Sequence, residues 1–175
     1  MDESSITLII KDECKLIPDR PVLLGVSGGP DSLTLLVILA RSGYPIIAAH
    51  FDHKLRKESG AEAEYVRGLS ENLGVPFLSG STDVALLAKA KKWSLEEAAR
   101  FARYTFLFQE ARRVNAQAVA VAHTADDQIE TVLMHILRGT GLTGLKGMAY
   151  RSSPNEWDDQ IPLIRPLLEI GRAHV

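Results

Sequence analysis

Cysteine is almost missing from this chain: Cys14 is the single one among 175 residues. That excludes an internal disulfide, a thiolate metal site and any chemistry that needs two thiols. A surplus of positive charge is missing too. Lys and Arg number 20 against 22 Asp and Glu, a formal charge of -2, whereas nucleic-acid-binding domains usually carry a basic excess. Local basic clusters occur at Lys89, Lys91 and Lys92, at Arg100 and Arg103, and at Arg112 and Arg113; most such runs are solvated helix faces. No apolar run reaches the roughly 18 residues of a membrane span. The opening M-D-E-S-S has no basic start of a secretory signal. A cytoplasmic protein without a membrane partner is expected. What remains is ordinary: 46% hydrophobic and 24% charged residues, enough for one well-buried domain.

Short apolar runs alternate with helix-length segments. Residues 1 to 20 read as an amphipathic lead-in that stops at Pro18 and Pro21. Strands are expected at Val22 to Val26, Ile46 to His50 and Ala118 to Ala122, with a weaker one at Val75 to Leu78 compromised by Pro76. Helices are expected over Ser32 to Arg41, Ser59 to Leu73, Ser94 to Val114 and Asp126 to Arg138. Ser94 and Glu97 spell a capping box for the third of these. In the last, Ile129, Val132, Leu133, Ile136 and Leu137 are spaced for one buried face, with Asp127, Glu130 and Thr131 opposite. The alternation predicts an α/β fold, a parallel sheet with helices on both faces.

The stretch Leu23 to Leu36, L-L-G-V-S-G-G-P-D-S-L-T-L-L, lies after the first strand. It admits three readings. Gly25 to Gly29 spell G-x-S-x-G, the elbow of a serine hydrolase, with Asp127 and His135 as formal partners; but several strands precede the serine in that fold. A second reading is a phosphate cradle, in which glycines let amides converge on an anion at a helix N-terminus. No G-K-[ST] follows, so this is not the common P-loop, and Asp31 beside a triphosphate makes sense with Mg2+ between them. The third is a plain strand-to-helix turn capped by Asp31 or Ser32. A different motif, Gly139, Gly141 and Gly144 in G-T-G-L-T-G, matches the dinucleotide fingerprint in letters but follows a helix instead of a strand. Gly139 there reads as a helix C-cap.

S-G-G-P-D-S resembles the signature of the ATP pyrophosphatases, which cleave ATP between the α and β phosphates and adenylate an acceptor. Further motifs resemble the branch of that family that joins lysine to tRNA(Ile): A-A-H-F-D-H-K-L-R-K-E-S (Ala48 to Ser59), S-L-E-E-A-A-R-F-A-R-Y (Ser94 to Tyr104) and A-H-T-A-D-D-Q-I-E-T-V-L-M (Ala122 to Met134). R-G-T-G-L-T-G-L-K-G-M (Arg138 to Met148) and I-R-P-L-L (Ile164 to Leu168) agree. The resemblance runs from Pro21 to Glu169. It departs at Lys54, where the family more often has glycine. Thr124 stands where histidine is also common, so that position receives no catalytic role.

The resemblance implies a Rossmann-like sheet over residues 21–169, ATP and Mg2+ as cofactors, and tRNA(Ile) with a CAU anticodon and free L-lysine as partners. It implies C-terminal tRNA-binding domains that this chain lacks. Residues 170–175 contain G-R-A-H-V, which resembles a translated sequencing adapter, and are expected to be a non-native tail. The oligomeric state stays open, a homodimer included. Ser27, Gly28, Gly29, Pro30, Asp31 and Ser32 would bind ATP, Asp31 through Mg2+, with His53 lining the nucleotide pocket. Asp127 and Glu130, three apart on a helix, would hold lysine and take its proton. Arg100 and Arg103 would touch AMP or tRNA, with Asp31, Asp127 and Arg103 the catalytic set. His50, Asp52 and Arg56 follow the same strand as His53.

Each assignment has a plainer rival. Ser27 could cap a turn, Asp127 could box with Thr124, Glu130 could be a solvated acid, and either arginine could merely cover its helix. Trp93 and Tyr104 read as packing residues. Two other functions stay in view: a tRNA thiolase, disfavoured by the lone cysteine, and a non-catalytic nucleotide-binding module, which would not need the acids at 127 and 130.

Overall fold

The computed structural model describes residues 3–55, 59–140 and 144–171. Arg56, Gly141 and residues 172–175 of the expected tail lie outside the described residues. Helix α1 (Glu3–Leu8) continues into a π-helical turn, Ile9–Glu13. Then follow β1 (Val22–Gly25), α2 (Pro30–Arg41), β2 (Ile46–Asp52), α3 (Ser59–Asn72), β3 (Phe77–Ser81), α4 (Val84–Lys91) and α5 (Leu95–Arg113). The chain goes on through β4 (Ala118–Ala120), α6 (Ala125–Leu137), a 3-10 turn at Gly144–Lys146, β5 (Arg151–Ser152) and β6 (Leu163–Ile164). The strands form one sheet in the order β3-β2-β1-β4-β6-β5, parallel except for the edge strand β5.

The sheet is buried on both faces because its strands alternate between two cores. Val22, Leu24 and Val26 point to the side of α2 and α3, where Leu35, Leu36, Leu39 and Val66 pack, while Leu23 points to Leu107 and Phe108 of α5. In A-V-A-V-A the alanines Ala118 and Ala120 join the first core and Val119 and Val121 the second. The expected lead-in belongs to the same core as the alanines: Ile6, Ile10, Cys14 and Leu16 are buried there. Gln117 ties its end down by accepting from Ile17 N at 2.9 Å and donating to Ile17 O.

Two expectations need correction. The third strand is Phe77–Ser81, not Val75 to Leu78. Pro76 has no N–H for the ladder, so it stands just ahead of the strand and offers only its carbonyl, to Ala48 N at 2.8 Å. The strand runs on through Gly80, which pairs with Phe51 and whose missing side chain leaves room for the Phe106 ring, 2.6 Å from an ideal Cβ. Helix α4 has no counterpart among the expected elements. Its signals are short: Asp83 Oδ1 caps Leu86 N at 3.0 Å, and Lys92 closes the end in the left-handed region.

The larger correction concerns α6. Its apolar stripe is regular, yet none of its residues is buried, and Ile129, Leu133, Ile136 and Leu137 are 58%, 53%, 51% and 81% exposed. Periodicity states that a face is apolar; it does not supply what covers it. The helix leaves the carboxyl end of β4 and is anchored by its first turns, where Gln128 brackets Met148 by accepting from its N and donating to its O. The other face carries the half-buried Asp127, so the expected inside and outside are partly exchanged. Leu137→Glu is therefore expected to change unfolding stability by no more than about 0.5 kcal/mol, the usual range for surface substitutions. Chemical denaturation of the two chains checks it.

Candidate active site

In this strand order β1 is followed by β2 and β3 on one side, and the chain then crosses to place β4 on the other. The sheet therefore opens a crevice beyond the carboxyl ends of β1 and β4, where ligands of such folds sit. Val22-Leu23-Leu24-Gly25 ends at this crevice, and the S-G-G-P-D-S loop turns the chain into α2. Gly28 takes φ +90, open only to glycine at low cost. Gly29 is the N-cap and Pro30 the first helical residue, whose missing N–H would have had no partner there. The 12-residue α2 thus directs its positive end at the crevice.

The hydroxyls lock this loop. Ser32 Oγ donates to Gly29 O at 2.9 Å and accepts from Ser27 N at 3.2 Å; the two serine oxygens are 3.1 Å apart, and Gly29 N donates to Ser27 Oγ at 3.3 Å. Ser27 does cap a turn, and in the same position it is exposed at the cavity wall.

Two cavities flank the loop and share Gly25, Ser27, Arg103 and Leu107. One, of about 270 Å³, is lined by Gly29, Pro30, Asp31 and Ser32 from the loop and by Tyr104, His123 and Asp127. The other, of about 250 Å³, is more apolar and is bounded by Ala49, Phe51, His53 and Leu55. Ser27 and Arg103 are distant along the chain and converge here because α5 crosses the sheet beside β1.

The candidate residues are distributed unevenly over this crevice. Asp31 and Asp127 line the first cavity, His53 the second, and Arg103 both. Asp127 also makes the box with Thr124: its Oδ2 accepts from Thr124 N at 2.7 Å and from Thr124 Oγ1 at 3.1 Å. Glu130 is exposed and lines neither cavity. Arg100 is exposed, paired with Glu156 at 3.0 Å and stacked over the Tyr104 ring at 4.7 Å. Arg103 covers the same ring at 5.1 Å, and Trp157 stacks on it at 5.2 Å. Tyr104 is fully buried, as a packing residue should be, and its hydroxyl has no hydrogen-bond partner among the described residues.

His50 is structural. Its buried Nδ1–H donates to Val26 O at 2.8 Å, pinning the end of β2 to the start of the loop. His53 sits against Phe51, ring centroids 5.1 Å apart, and burial followed by the Arg103 charge lowers its pKa. Cys14 is buried in the core, which pushes its thiol up to about 12. Lys54, where glycine is the commoner residue in the resemblance, has φ 52 and donates its N–H to Asp52 Oδ1 at 2.7 Å. Lys54→Val is expected to cost about 1–2 kcal/mol, because a β-branched residue is strained in that region. Lys54→Gly should stay within about 1 kcal/mol of the parent, relief of strain offsetting the freer unfolded chain. Thermal unfolding of the pair checks the contrast.

The sequence motifs contain His123 and Arg165 but give neither a role. The structure puts His123 in the cavity wall and hydrogen-bonds it to Arg165, 42 residues away.

The chain has relatives among known proteins. Residues 2–175 match the family described as the PP-loop domain. The chain is 45% identical over 133 residues to a tRNA(Ile)-lysidine synthase of Thermus thermophilus, covering 75% of this chain and 26% of that one. It is 40% identical over 172 residues to the tRNA(Ile)-lysidine synthase of Parabacteroides distasonis, covering 98% and 37%. The chain therefore spans between a quarter and two fifths of the length of these relatives. Among solved structures it resembles the U34-tRNA thiolase NcsA of Methanococcus maripaludis with its [4Fe-4S] cluster, with TM-score 0.77, 17% identity and coverage of 97% and 59%. It also resembles the NH3-dependent NAD synthetase of Campylobacter jejuni, with TM-score 0.62, 19% identity and coverage of 99% and 70%. These two likenesses establish the α/β fold.

Proposed function

The chain belongs to the PP-loop domain family, and on that premise we propose that it supplies the ATP-binding, adenylating part of an enzyme that joins free L-lysine to the wobble cytidine of tRNA(Ile) with a CAU anticodon. The observation that carries the reading is the cavity in which the Ser27–Ser32 loop, the end of α2, Arg103 and Asp127 meet. An anion-binding loop and an acid capable of taking a proton face the same space, as two-step adenylation and amine attack require.

In the first step the C2 oxygen of the cytidine attacks the α phosphorus of ATP, and the bond to the bridging oxygen breaks to release pyrophosphate. In the second, the lysine ε-amine attacks C2, the C2–O bond breaks, AMP leaves with that oxygen, and the amine loses a proton. Ser27, Gly28, Gly29, Pro30 and Ser32, with the α2 amides, hold the departing phosphates. Arg103, bridging both cavities, offsets charge on the AMP part. Asp127 receives the amine's proton through the carboxylate that faces the cavity. Glu130, exposed and outside both cavities, is assigned only to the part of the lysine that extends out of the crevice past Asp127, and Arg100 to the tRNA backbone, where its present partner is the exposed Glu156. His53 borders the more apolar cavity, which suits the adenosine.

Among the described residues no three His, Cys, Asp or Glu side chains gather as a metal site. Mg2+ keeps waters and substrate phosphates and takes only one or two protein carboxylates, so it would arrive with the nucleotide. Asp31 is the carboxylate at the head of α2 that would hold it, and the bound ion would neutralise phosphate charge. A sulfur-transfer reading, prompted by the thiolase likeness, has little support: the one cysteine of the chain is buried and held as a thiol.

The test is AMP release with ATP, L-lysine and a CAU-anticodon tRNA, omitting each in turn. Pyrophosphate release should need both ATP and tRNA, whereas AMP release and lysidine should need lysine as well. AMP turnover without lysine, sulfur incorporation, or adenylation indifferent to the anticodon would overturn the assignment. The 175-residue chain should bind ATP yet modify tRNA slowly, because a net charge of -2 leaves few phosphate contacts to release counter-ions.

A further inference from the structure

Arg165 follows β6 and is only 7% exposed, yet no carboxylate pairs with it among the described residues. Its Nη1 donates to Ala149 O at 2.9 Å and to Ser152 Oγ at 3.0 Å, and its Nε donates to His123 Nδ1 at 3.2 Å. A guanidinium has donors only. His123 Nδ1 must therefore accept, which leaves the imidazole neutral with its proton on Nε2. The backbone holds the arrangement on both sides, because Arg165 N donates to Tyr150 O at 2.9 Å and Val121 N to Ile164 O at 3.0 Å.

His123 lines the cavity that contains the Ser27–Ser32 loop and Asp127, and its Nε2 makes no hydrogen bond among the described residues. With Nδ1 occupied from behind, Nε2–H is the polar group it can turn to a ligand. We propose that His123 is a fixed, neutral hydrogen-bond donor to an oxygen of the nucleotide phosphate chain, and that Arg165 is the positioning residue that sets its tautomer. This rests on the ATP-binding reading above and adds to it a residue outside the loop. Burial, and then the Arg165 charge, lower the His123 pKa to about 4. A second cation beside a buried guanidinium is costly, so the ring donates a hydrogen bond without becoming charged. Arg103 and Arg100 from α5 act in the same direction, Asp127 from α6 opposes them, and Asp31 from α2 shares the cavity.

The experiment uses the whole chain and does not depend on tRNA modification. Nitrogen-15 NMR of the histidine rings, assigned by loss of one signal in His123→Gln, should show a bare Nδ1 and a protonated Nε2 that stay unchanged from pH 8 to pH 5. A non-hydrolysable ATP analogue should shift the Nε2 signal. By calorimetry His123→Ala should bind the analogue about tenfold more weakly, the lower end for a hydrogen bond to a charged group. His123→Gln, whose amide N–H can replace Nε2–H, should bind within about threefold of the parent, a rescue that packing alone would not give. Arg165→Gln should move the titration midpoint of His123 up toward about 6.5; should that variant not fold, the parent's tautomer and the His123 pair still decide. A proton on Nδ1, a parent midpoint near 6.5, or equal binding by His123→Ala would overturn the proposal while leaving ATP binding intact. A parent chain that does not bind the analogue at all would instead remove the ATP reading, and this proposal with it.

Discussion

Asp31→Ala is expected to lower ATP-dependent pyrophosphate release by about 10²–10³-fold, the effect of removing one preorganised electrostatic group. Asp31 stands in the first turn of α2, directly after Pro30, and lines the cavity with Ser27 and Asp127. An acid there has two possible uses. It favours the helix N-terminus by about 0.3–1 kcal/mol, and it can carry the cation that accompanies a triphosphate. The sizes separate them. Loss of the first would lower the unfolding midpoint of a domain of this length by only about 1–4 °C, with no reason for chemistry to fail. Measuring pyrophosphate release and thermal unfolding on the same variant distinguishes the roles: a folded but inactive protein supports the phosphate reading, and unimpaired release places the ion elsewhere. Asp31→Asn, which keeps the shape and loses the charge, should resemble the alanine variant in activity.

The largest stability effect should come from α2 as well, one turn further on. Leu35 is fully buried among Val22, Leu24 and the other residues of the first core. Leu35→Ala removes buried methyl groups and leaves a cavity that the strands cannot close, a cost of about 3–5 kcal/mol. At roughly 2–4 °C per kcal/mol for this size, the unfolding midpoint should fall by about 6–20 °C. The ATP affinity of the folded molecules should not change, since the loop is held by its own serine and glycine bonds. A drop comparable to that of Leu137→Glu would show that the core is looser than its packing implies. The same residue type thus produces opposite outcomes in α2 and α6, and only burial tells them apart.

Much of the sheet was legible because its signals are local. The A-V-A-V-A run, the Ser94–Glu97 box and the glycine-proline turn each specify a strand, a helix start or a loop from neighbouring residues. Glu97 N donates to Ser94 Oγ at 3.1 Å and Ser94 N to Glu97 Oε2 at 2.8 Å, as the box requires. That α6 ends at Gly139 was readable for the same reason, although Arg138 is the C-cap and Gly139 is the residue after it, with φ 70. The short helix α4 escaped because eight residues carry too little periodicity against their lysines. Strands β5 and β6 have two residues each, and β6 is held by a strand far along the chain, Leu163 opposite Val119 of β4.

The candidate site divides along the same line. The loop from Ser27 to Ser32 could be read as an anion site because its glycines, proline and acid are contiguous. That His53 borders one cavity and Asp127 the other, with Arg103 in both, could not, because different strand ends and α5 bring them together. Glu130 was grouped with Asp127 by helical spacing, yet only Asp127 reaches the cavity. Spacing fixes a shared direction and says nothing of depth.

From the order of its residues alone this chain determined most of its alternating strands and helices, the glycine-proline turn ahead of α2, and the acid beside it, since each depends on backbone preferences over a few positions. Tertiary structure alone decided which side of α6 is covered, which acids and arginines share the crevice, and that Arg165 sets the tautomer of His123. Burial and hydrogen bonding across 42 residues are properties of packed surfaces, and no local pattern encodes them.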